Sequence, residues 1–321
     1  MSVPLGVPQR LMRLLRCPSC AAQLASSERS LACDGCHRTF PVRDGIVRFV
    51  SRPDDELARR TQASFGYEWT QFNDWQPSGE VNFLDYFENA PLESLKDAVV
   101  LDAGCGMGRH ATQMAAHAAH VVAVDFSSAI DQARRNAASR DNVDCVQADL
   151  TELPFADGTF DYVYSIGVLH HLADTRGAIR RVVEKAKIEG HVRIYLYWKR
   201  SGAAGVLLAG VTAARRLTTR LPFPVLKGVS WLLSIGLMGA VILPYRALSK
   251  AGIRAHQTWP LFVYAKYPFN VLYNDQFDRF SAPIEQRFSP DEVRRMMSDA
   301  GLSNVRLYPR YGWVAEGVRE H

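Results

Sequence analysis

The chain contains 321 residues, which corresponds to about two domains of roughly 150 residues each. Hydrophobic residues make up 47% and charged residues 22%, a globular composition that excludes a wholly disordered or fibrous protein. The net charge of +5 is unevenly distributed, because residues 190–274 contain eleven Lys and Arg but no Asp or Glu. This asymmetry predicts an anionic partner: a membrane surface, a nucleic acid or an acidic substrate.

The N-terminal residues are basic, but they contain neither a continuous apolar stretch nor a small-residue cleavage site. The sequence therefore predicts no signal peptide. Four of the six cysteines cluster between residues 17 and 36. Paired cysteines of this kind favour a metal site in a reducing compartment over a disulfide framework, so we expect a cytoplasmic protein.

The clustered cysteines form two Cys-x-x-Cys pairs separated by twelve residues: Cys17, Cys20, Cys33 and Cys36. Two such pairs can place four thiolates tetrahedrally around Zn²⁺ at about 2.3 Å. Because four protein ligands close the coordination sphere, we expect a structural metal, and a segment this small should fold only with it. The alternative is that the four residues are buried thiols without a metal.

The motifs LLRCPSC, LACDGCHRTFPV and RDGI resemble the small zinc-ribbon proteins that act as activator subunits of RNA and protein methyltransferases. The resemblance covers residues 11–50 and implies a docking and stabilising unit rather than a catalyst. We expect a zinc-ribbon domain over residues 1–52. A linker and an aromatic-rich segment are expected to follow over residues 53–96.

Beyond residue 97, apolar runs alternate with helical patterns, as is typical of α/β folds. The predicted strands cover residues 98–104, 120–126, 143–150, 160–168 and 191–198, and the predicted helices cover residues 109–117, 127–140 and 175–187. Regularity then stops for about 85 residues. It returns at Ser289, where Ser-Pro-Asp-Glu predicts a helix with a capping box, and two strands are expected to close the chain.

Three glycines separate the first of these strands from the helix that follows it: Gly104, Gly106 and Gly108. Glycines allow the backbone to turn tightly and to approach a ligand. Asp102, Asp125 and Asp149 end three successive strands, at the sheet edge where open α/β folds bind ligands. The third glycine comes one residue too early for a dinucleotide motif, and Asp102 adds negative charge. The pattern therefore favours a cationic ligand without phosphate.

The combination of LDAGCGMG, VVAVDFS, QADLTELPFADGTFDYVYS and IGVLHHL over residues 98–198 resembles the class I S-adenosylmethionine-dependent methyltransferases of type 11. The resemblance implies a Rossmann-like sheet with helices on both faces and S-adenosylmethionine as the cofactor. The contacts that it implies are Asp102 and the three glycines at the aminocarboxypropyl group, Asp125 at the ribose, Phe126, Leu150 and Asp149 at the adenine, and Ser165 and Ile166 at the methionine end.

Two further segments bear on this resemblance. The stretch from Phe65 to Trp69, which includes Tyr67, resembles the element that closes over the cofactor in members of the family. Relatives usually carry a Pro-Gly-Gly turn before the fifth strand, where this chain has Lys187-Ile188-Glu189-Gly190-His191. We expect an altered surface loop there without loss of cofactor binding.

The sequence defines the catalytic group less clearly than it defines the cofactor site. Displacement of a methyl group from a sulfonium depends mainly on in-line positioning, and a general base is needed only if the acceptor must lose a proton. His170 and His171 follow the fourth strand and are the candidates for such a base. The alternative is that both only form hydrogen bonds within their loop.

An apolar insert is expected over residues 199–285 of a methyltransferase domain that spans residues 97–321. Its residues 228–245 are uncharged for 18 positions, just short of the roughly 20 that a spanning helix needs. Three interpretations remain open: a transmembrane span, an in-plane hairpin of residues 203–246 on an anionic membrane surface, and a buried lid over the acceptor.

These features favour a methyltransferase that acts on a hydrophobic small-molecule or lipid-linked acceptor, in the cytoplasm or peripherally on the inner face of the membrane. The alternative is an RNA methyltransferase that grips nucleic acid through the zinc ribbon and the basic insert. Nucleic acid is the less favoured partner, because interleaved Leu, Val and Ile suit phosphate contacts poorly. A non-catalytic scaffold is disfavoured by the intact Asp102, glycines, Asp125 and Asp149.

Overall fold

The computed structural model describes residues 6–27, 29–50, 56–72, 79–253 and 261–320. Parts of the predicted linker, aromatic segment and insert, namely residues 53–55, 73–78 and 254–260, lie outside the described residues. The chain divides into two compact units. The first comprises Met1–Thr70, Gly79–Trp198 and Ile284–His321, and the second comprises Gln71–Ser78 and Lys199–Pro283.

Eleven strands form one sheet in the described part of the first unit. They are β1 (Leu24–Ser26), β2 (Ser30–Cys33), β3 (Thr39–Arg43), β4 (Ile46–Arg48), β5 (Val99–Ala103), β6 (His120–Asp125), β7 (Val143–Gln147), β8 (Phe160–Ile166), β9 (Ala186–Leu196), β10 (Leu302–Pro309) and β11 (Trp313–Arg319). Their order across the sheet is β1-β2-β3-β4-β7-β6-β5-β8-β9-β11-β10. Strands β4 to β9 pair in parallel, whereas β11 runs antiparallel between β9 and β10.

Seven helices of the described chain accompany this sheet. They are α1 (Gln9–Leu14), α2 (Glu56–Gln71), α3 (Gly79–Phe87), α4 (Arg109–Met114), α5 (Ala129–Asn136), α6 (Thr175–Glu184) and α11 (Pro290–Asp299). The central strands are Val-rich and almost wholly buried, as expected of parallel strands that are covered on both faces. Two hydrophobic clusters lie on the two faces of the sheet. The predicted Rossmann-like α/β class with helices on both faces is confirmed.

Several local predictions can be compared with the structure. The capping box is confirmed: Ser289 Oγ accepts a hydrogen bond from the backbone N–H of Glu292, whose carboxylate accepts one from the N–H of Ser289. The segment before the paired part of the fifth strand is altered and exposed at residues 187–189, as expected, but it is a bulge inside β9 rather than a separate loop. Phe160 on β8 pairs with Ala186, and Tyr162 pairs with His191. One residue of β8 therefore lies opposite residues 187–190 of β9, which bulge out of the strand pairing.

The zinc-ribbon segment is continuous with the methyltransferase-like sheet. Strand β4 pairs in parallel with β7, with Val47 opposite Val146. Leu11 and Leu15 are completely buried in the same hydrophobic cluster as the central strands. The Arg10 guanidinium donates two hydrogen bonds, of 2.8 and 2.9 Å, to the Asp144 carboxylate on β7. The ribbon therefore forms one edge of the first unit and shares its core.

The second unit is helical in its described part. It contains α7 (Gly202–Thr218), α8 (Phe223–Leu237), α9 (Leu243–Lys250) and α10 (Phe269–Ser281). Helices α8 and α9 are joined without a break by a π-helical turn at Met238–Ile242. Pro244 has no N–H to donate, so it removes one helical hydrogen bond next to this turn. The resulting continuous helix, Phe223–Lys250, has the length and composition to cross a membrane, and no other helix in the described residues does.

Candidate cofactor site and metal centre

The loop between β5 and α4 can be formed only by glycines at its key positions. Gly104, Gly106 and Gly108 have φ angles of +90°, +53° and +77°, a left-handed region that side chains disfavour. A Cβ atom on Gly104 would lie 2.5 Å from a methyl group of Val168. The backbone thus approaches its neighbours too closely for a side chain at the carboxyl end of β5.

Asp102 lies beneath this loop and is almost fully buried. Its Oδ2 accepts a hydrogen bond of 2.9 Å from Tyr164 Oη on the neighbouring strand. Burial, together with the charge of nearby Asp125, raises the pKa of Asp102 to about 8, although the Tyr164 hydrogen bond and Arg109 act in the opposite direction. A cationic ligand would favour the ionised carboxylate, so this environment suits a ligand that carries positive charge.

Asp125 holds the glycine loop from the end of β6. Its Oδ2 accepts a hydrogen bond of 2.8 Å from the Gly106 N–H. Its Oδ1 accepts bonds of 2.8 and 2.7 Å from the N–H and the hydroxyl of Ser127. Burial raises the pKa of Asp125 despite these three hydrogen bonds. Asp125, which the family resemblance places at the ribose, thus orders the glycine loop.

The remaining predicted cofactor residues are found at the same sheet edge, in different settings. Asp149 Oδ1 accepts bonds from the N–H and the hydroxyl of Thr151, which closes a turn after β7, and Leu150 beside it is buried. The carbonyl of Phe126 accepts a hydrogen bond of 3.0 Å from Gln62. The Ser165 hydroxyl donates to the carbonyl of Ala103 at 2.7 Å, so it ties β8 to β5. Ile166, the next residue of β8, is also buried.

Helix α2 lies across the glycine loop. A Cβ atom on Gly106 would lie 3.2 Å from Nε1 of Trp69, and one on Gly66 would lie 2.7 Å from Ser128 Oγ. The Arg109 guanidinium is 5.1 Å from the centre of the Trp69 ring, a cation–π distance. The half-buried Tyr67 lies on the same helix. The resemblance that predicted a covering segment from Phe65 to Trp69 did not include Gln62, whose spacing from Gly66 and Trp69 places all three on one helix face.

The two histidines sit in a 3-10 turn, Leu169–His171, after β8. His170 is fully buried, with its ring 3.9 Å from that of Tyr197. His171 Nδ1 lies 2.6 Å from the carbonyl oxygen of Ile284, so this nitrogen donates and Nε2 carries the lone pair of the neutral ring. The His171 ring also packs 5.2 Å from Phe65 of α2. His171 thus has one ring nitrogen fixed as a donor to the backbone.

The four clustered cysteines have the geometry of a tetrahedral metal site. Their sulfur atoms all lie within 4.8 Å of one another. Cys17 and Cys36 are 3.6 Å apart at sulfur, and Cys20 and Cys33 are 3.3 Å apart, close to the roughly 3.8 Å edge of a zinc–thiolate tetrahedron. A four-sulfur donor set of this size fits Zn²⁺ in a closed, structural site.

Comparison with known families agrees with both sites. Residues 101–194 match the methyltransferase domain family, and residues 9–45 match the Trm112p-like proteins. The chain contains a methyltransferase domain and a Trm112p-like zinc ribbon. The cofactor of the methyltransferase domain is S-adenosylmethionine, and the four cysteines of the ribbon form the site of a structural zinc. The glycine loop and the carboxylates of Asp102 and Asp125 fit a cationic cofactor, and the four thiolates fit the metal.

The matches to individual relatives cover only part of the length of each relative. A demethylmenaquinone methyltransferase of Clavibacter sepedonicus is 36% identical over 96 residues, which are 30% of this chain and 39% of that protein. A probable tRNA methyltransferase 9B of Homo sapiens is 29% identical over 108 residues, 33% of this chain and 22% of that protein. The structure of human N-acetylserotonin methyltransferase matches with a TM-score of 0.50 and 14% identity, over 84% of this chain and 60% of that chain, and it supports the fold alone.

Proposed function

We propose that this protein transfers a methyl group from S-adenosylmethionine to a hydrophobic small-molecule or lipid-linked acceptor. The observation that carries the proposal is the pair of carboxyl groups at the glycine loop, the buried Asp102 and the half-buried Asp125, which suit a cation without phosphate. When bound, the cofactor supplies an electrophilic methyl group on a sulfonium. The protein's task is then to bind, orient and exclude water.

Each part of the site has a place in this proposal. Asp102 would stabilise the cationic end of the cofactor, and Asp125 would hold its ribose while ordering the Gly106 backbone. Helix α2, through Trp69, would shield the bound cofactor from solvent. His171 would accept a proton at Nε2 from an acceptor hydroxyl, because its Nδ1 is committed to the carbonyl of Ile284.

Two features support an apolar acceptor. One matched relative acts on demethylmenaquinone, as its name states. In addition, residues 199–253 and 261–274 contain no Asp or Glu and are rich in Leu, Val and Ile. A chain that carries so much apolar sequence beside its methyltransferase domain is suited to an acceptor of the same character.

RNA is the second candidate acceptor. One relative is a probable tRNA methyltransferase, and residues 1–60 carry ten Arg against six acidic residues, which would favour phosphate contacts. The apolar acceptor is favoured because the basic residues of the second unit are interleaved with aliphatic ones.

The test is a transfer experiment with cofactor labelled in its methyl group. The zinc-loaded protein is incubated with extract of the host cell, and label is then counted in the organic phase, the RNA and the protein fraction. We expect label in the organic phase, and none with the Asp125→Ala variant. Label in RNA would overturn the acceptor class, and absence of label from every fraction would overturn the activity.

A further inference from the structure

The long helix Phe223–Lys250 exposes an unusual number of large apolar side chains. Its exposed side chains are large and apolar and include Val225, Val229, Trp231, Leu232, Ile235 and Leu243. Its buried side chains are those of Leu226, Ser230, Ser234, Ile242 and Tyr245, so two of the five are serines, and both serines have no exposed surface. Single exposed apolar residues are ordinary, but a continuous apolar face opposite buried serines indicates that the outer side meets an apolar medium.

The buried side of this helix is occupied by the protein itself. Helix α10 packs against α8: Tyr273 Oη donates a hydrogen bond of 3.0 Å to the carbonyl of Lys227, and the rings of Phe223 and Phe277 are 6.4 Å apart. The Ser234 hydroxyl donates back to the carbonyl of Ser230 at 2.7 Å. Small side chains here allow close helix packing, as they do between helices in lipid. The opposite face, which carries the exposed apolar side chains named above and is here called the outer face, is therefore the one that can contact a partner.

Charge is arranged to suit an anionic partner. Exposed Arg216 and Arg220 precede the helix, and exposed Lys250 ends it. Residues 228–245 between them are uncharged, a length of about 27 Å of helix. No acidic residue occurs from 199 to 253. Cations at both ends of an apolar face can reach lipid head groups while the apolar side chains enter the acyl boundary.

We propose that the outer face of Phe223–Lys250 binds the surface of an anionic lipid bilayer, with the helix lying in the membrane plane. An apolar groove on another protein could bury the aliphatic side chains, but it would not explain why residues 199–253 contain no Asp or Glu. If the helix spanned the membrane, α10, which packs against it, would also enter the hydrocarbon. The charged side chains of α10, Asp275, Asp278 and Arg279, would then be buried there at a high cost in free energy. The in-plane orientation leaves those charges on the aqueous side.

The experiment uses the full, zinc-loaded chain. Flotation is measured with vesicles of phosphatidylcholine and phosphatidylglycerol in equal amounts and with vesicles of phosphatidylcholine alone. Leu232→Asp places a charge on the outer face at a position that is 65% exposed, so the fold should tolerate it. Ile188→Asp, at a 55% exposed position of β9, is the matched control. Lipid binding does not require methyl transfer, so its failure would leave the proposed activity untouched.

We expect the wild type and Ile188→Asp to float with the anionic vesicles, and Leu232→Asp to partition at least about tenfold less. Binding should weaken with Arg216→Gln and Arg220→Gln together, and with added salt. Alkaline carbonate should release the protein from the vesicles. Failure to float at low salt, flotation that Leu232→Asp leaves unchanged, resistance to carbonate, or a dimer in solution that Leu232→Asp dissociates would each overturn the proposal.

Discussion

The carboxylate of Asp125 accepts a hydrogen bond of 2.8 Å from the backbone N–H of Gly106, and the Trp69 ring covers the same glycine from the other side. Cofactor binding should therefore depend on the shape of this residue. We expect Gly106→Ala to raise the dissociation constant for S-adenosylmethionine about tenfold or more, since its φ of +53° is strained for alanine and the added methyl group meets Trp69.

Gly158→Ala is the matched control for that change. Gly158 also has a positive φ, of +67°, but a Cβ atom there would meet nothing within 4 Å. Gly158→Ala should lose about 1 kcal/mol of stability in thermal unfolding from backbone strain alone, and Gly106→Ala should lose at least as much. Calorimetric titration should show weaker cofactor binding only for Gly106→Ala; equal weakening in both would refute a specific role for the loop.

Cofactor binding should be linked to proton release through Asp102. Its pKa of about 8 in the free protein means that the carboxyl group is mostly protonated at neutral pH, and a cationic cofactor would favour the carboxylate. Affinity should therefore rise as the pH rises towards 8 and then level off. Titrations at pH 7 in buffers of different ionisation enthalpy would measure the proton released, which Asp102→Asn should abolish.

The same shift has a consequence for stability in the absence of cofactor. Because the folded pKa of Asp102 lies above its unfolded value, the folded state holds a proton that the unfolded state has lost. Asp102 should thus reduce the free energy of unfolding progressively as the pH rises from about 4 to about 8. Asp102→Asn should lessen this decline, and an unchanged pH profile would argue against the buried, protonated carboxyl group.

Removal of zinc should destabilise the methyltransferase domain as well as the ribbon. Strand β4 is an edge of the common sheet, and Leu11 and Leu15 belong to its core. We expect Cys33→Ala, or treatment with a strong chelator, to lower the melting temperature of the main transition by more than about 5 °C. A separate low-temperature transition that leaves the main one in place would show that the ribbon folds independently.

The ion pair between Arg10 and Asp144 should also contribute to the stability that the ribbon shares with the methyltransferase domain. Although burial acts to raise it, hydrogen bonds from His120 and Arg10 hold the pKa of Asp144 below its usual value. We expect Arg10→Met to cost about 1 kcal/mol of stability near neutral pH, a modest amount because Arg10 is 41% exposed. Arg13→Met, at an exposed position of the same helix, should cost much less.

The pH dependence of that difference gives a second check. A carboxyl group with a lowered folded pKa contributes stability above its unfolded pKa and loses that contribution as the pH falls through the folded value. The gap between wild type and Arg10→Met should therefore be full near pH 7 and should shrink below about pH 4. Urea unfolding at several pH values measures it, and a gap that does not change with pH would exclude the ion pair as its cause.

His171 is the residue to test for proton transfer. If it is the base, His171→Gln should reduce kcat about a hundredfold and change the dependence of the rate on pH. KM for the cofactor should change little. His170→Phe should preserve that pH dependence, because His170 packs among aromatic rings. A rate loss in His171→Gln with the wild-type pH profile would indicate a structural role only.

The sequence allowed the central architecture to be predicted because its signals are local. The Val-rich strands, the glycine loop and the Ser289 capping box each lie within a few consecutive residues. The pairing of β4 with β7 was not predictable, since Val47 and Val146 are 99 positions apart and β4 is only three residues long. Nothing in the sequence of residues 228–245 indicated that Ser230 and Ser234 face inward, because their burial depends on the separate helix α10.

The measurement that tests the central claim most directly is a calorimetric titration of the zinc-loaded chain with S-adenosylmethionine and, in parallel, with a dinucleotide such as NAD. The acidic, phosphate-excluding site predicts one bound S-adenosylmethionine per chain, loss of that binding in Asp125→Ala, and no binding of the dinucleotide. Absence of S-adenosylmethionine binding, or binding of the dinucleotide with equal affinity, would contradict the assignment of this site.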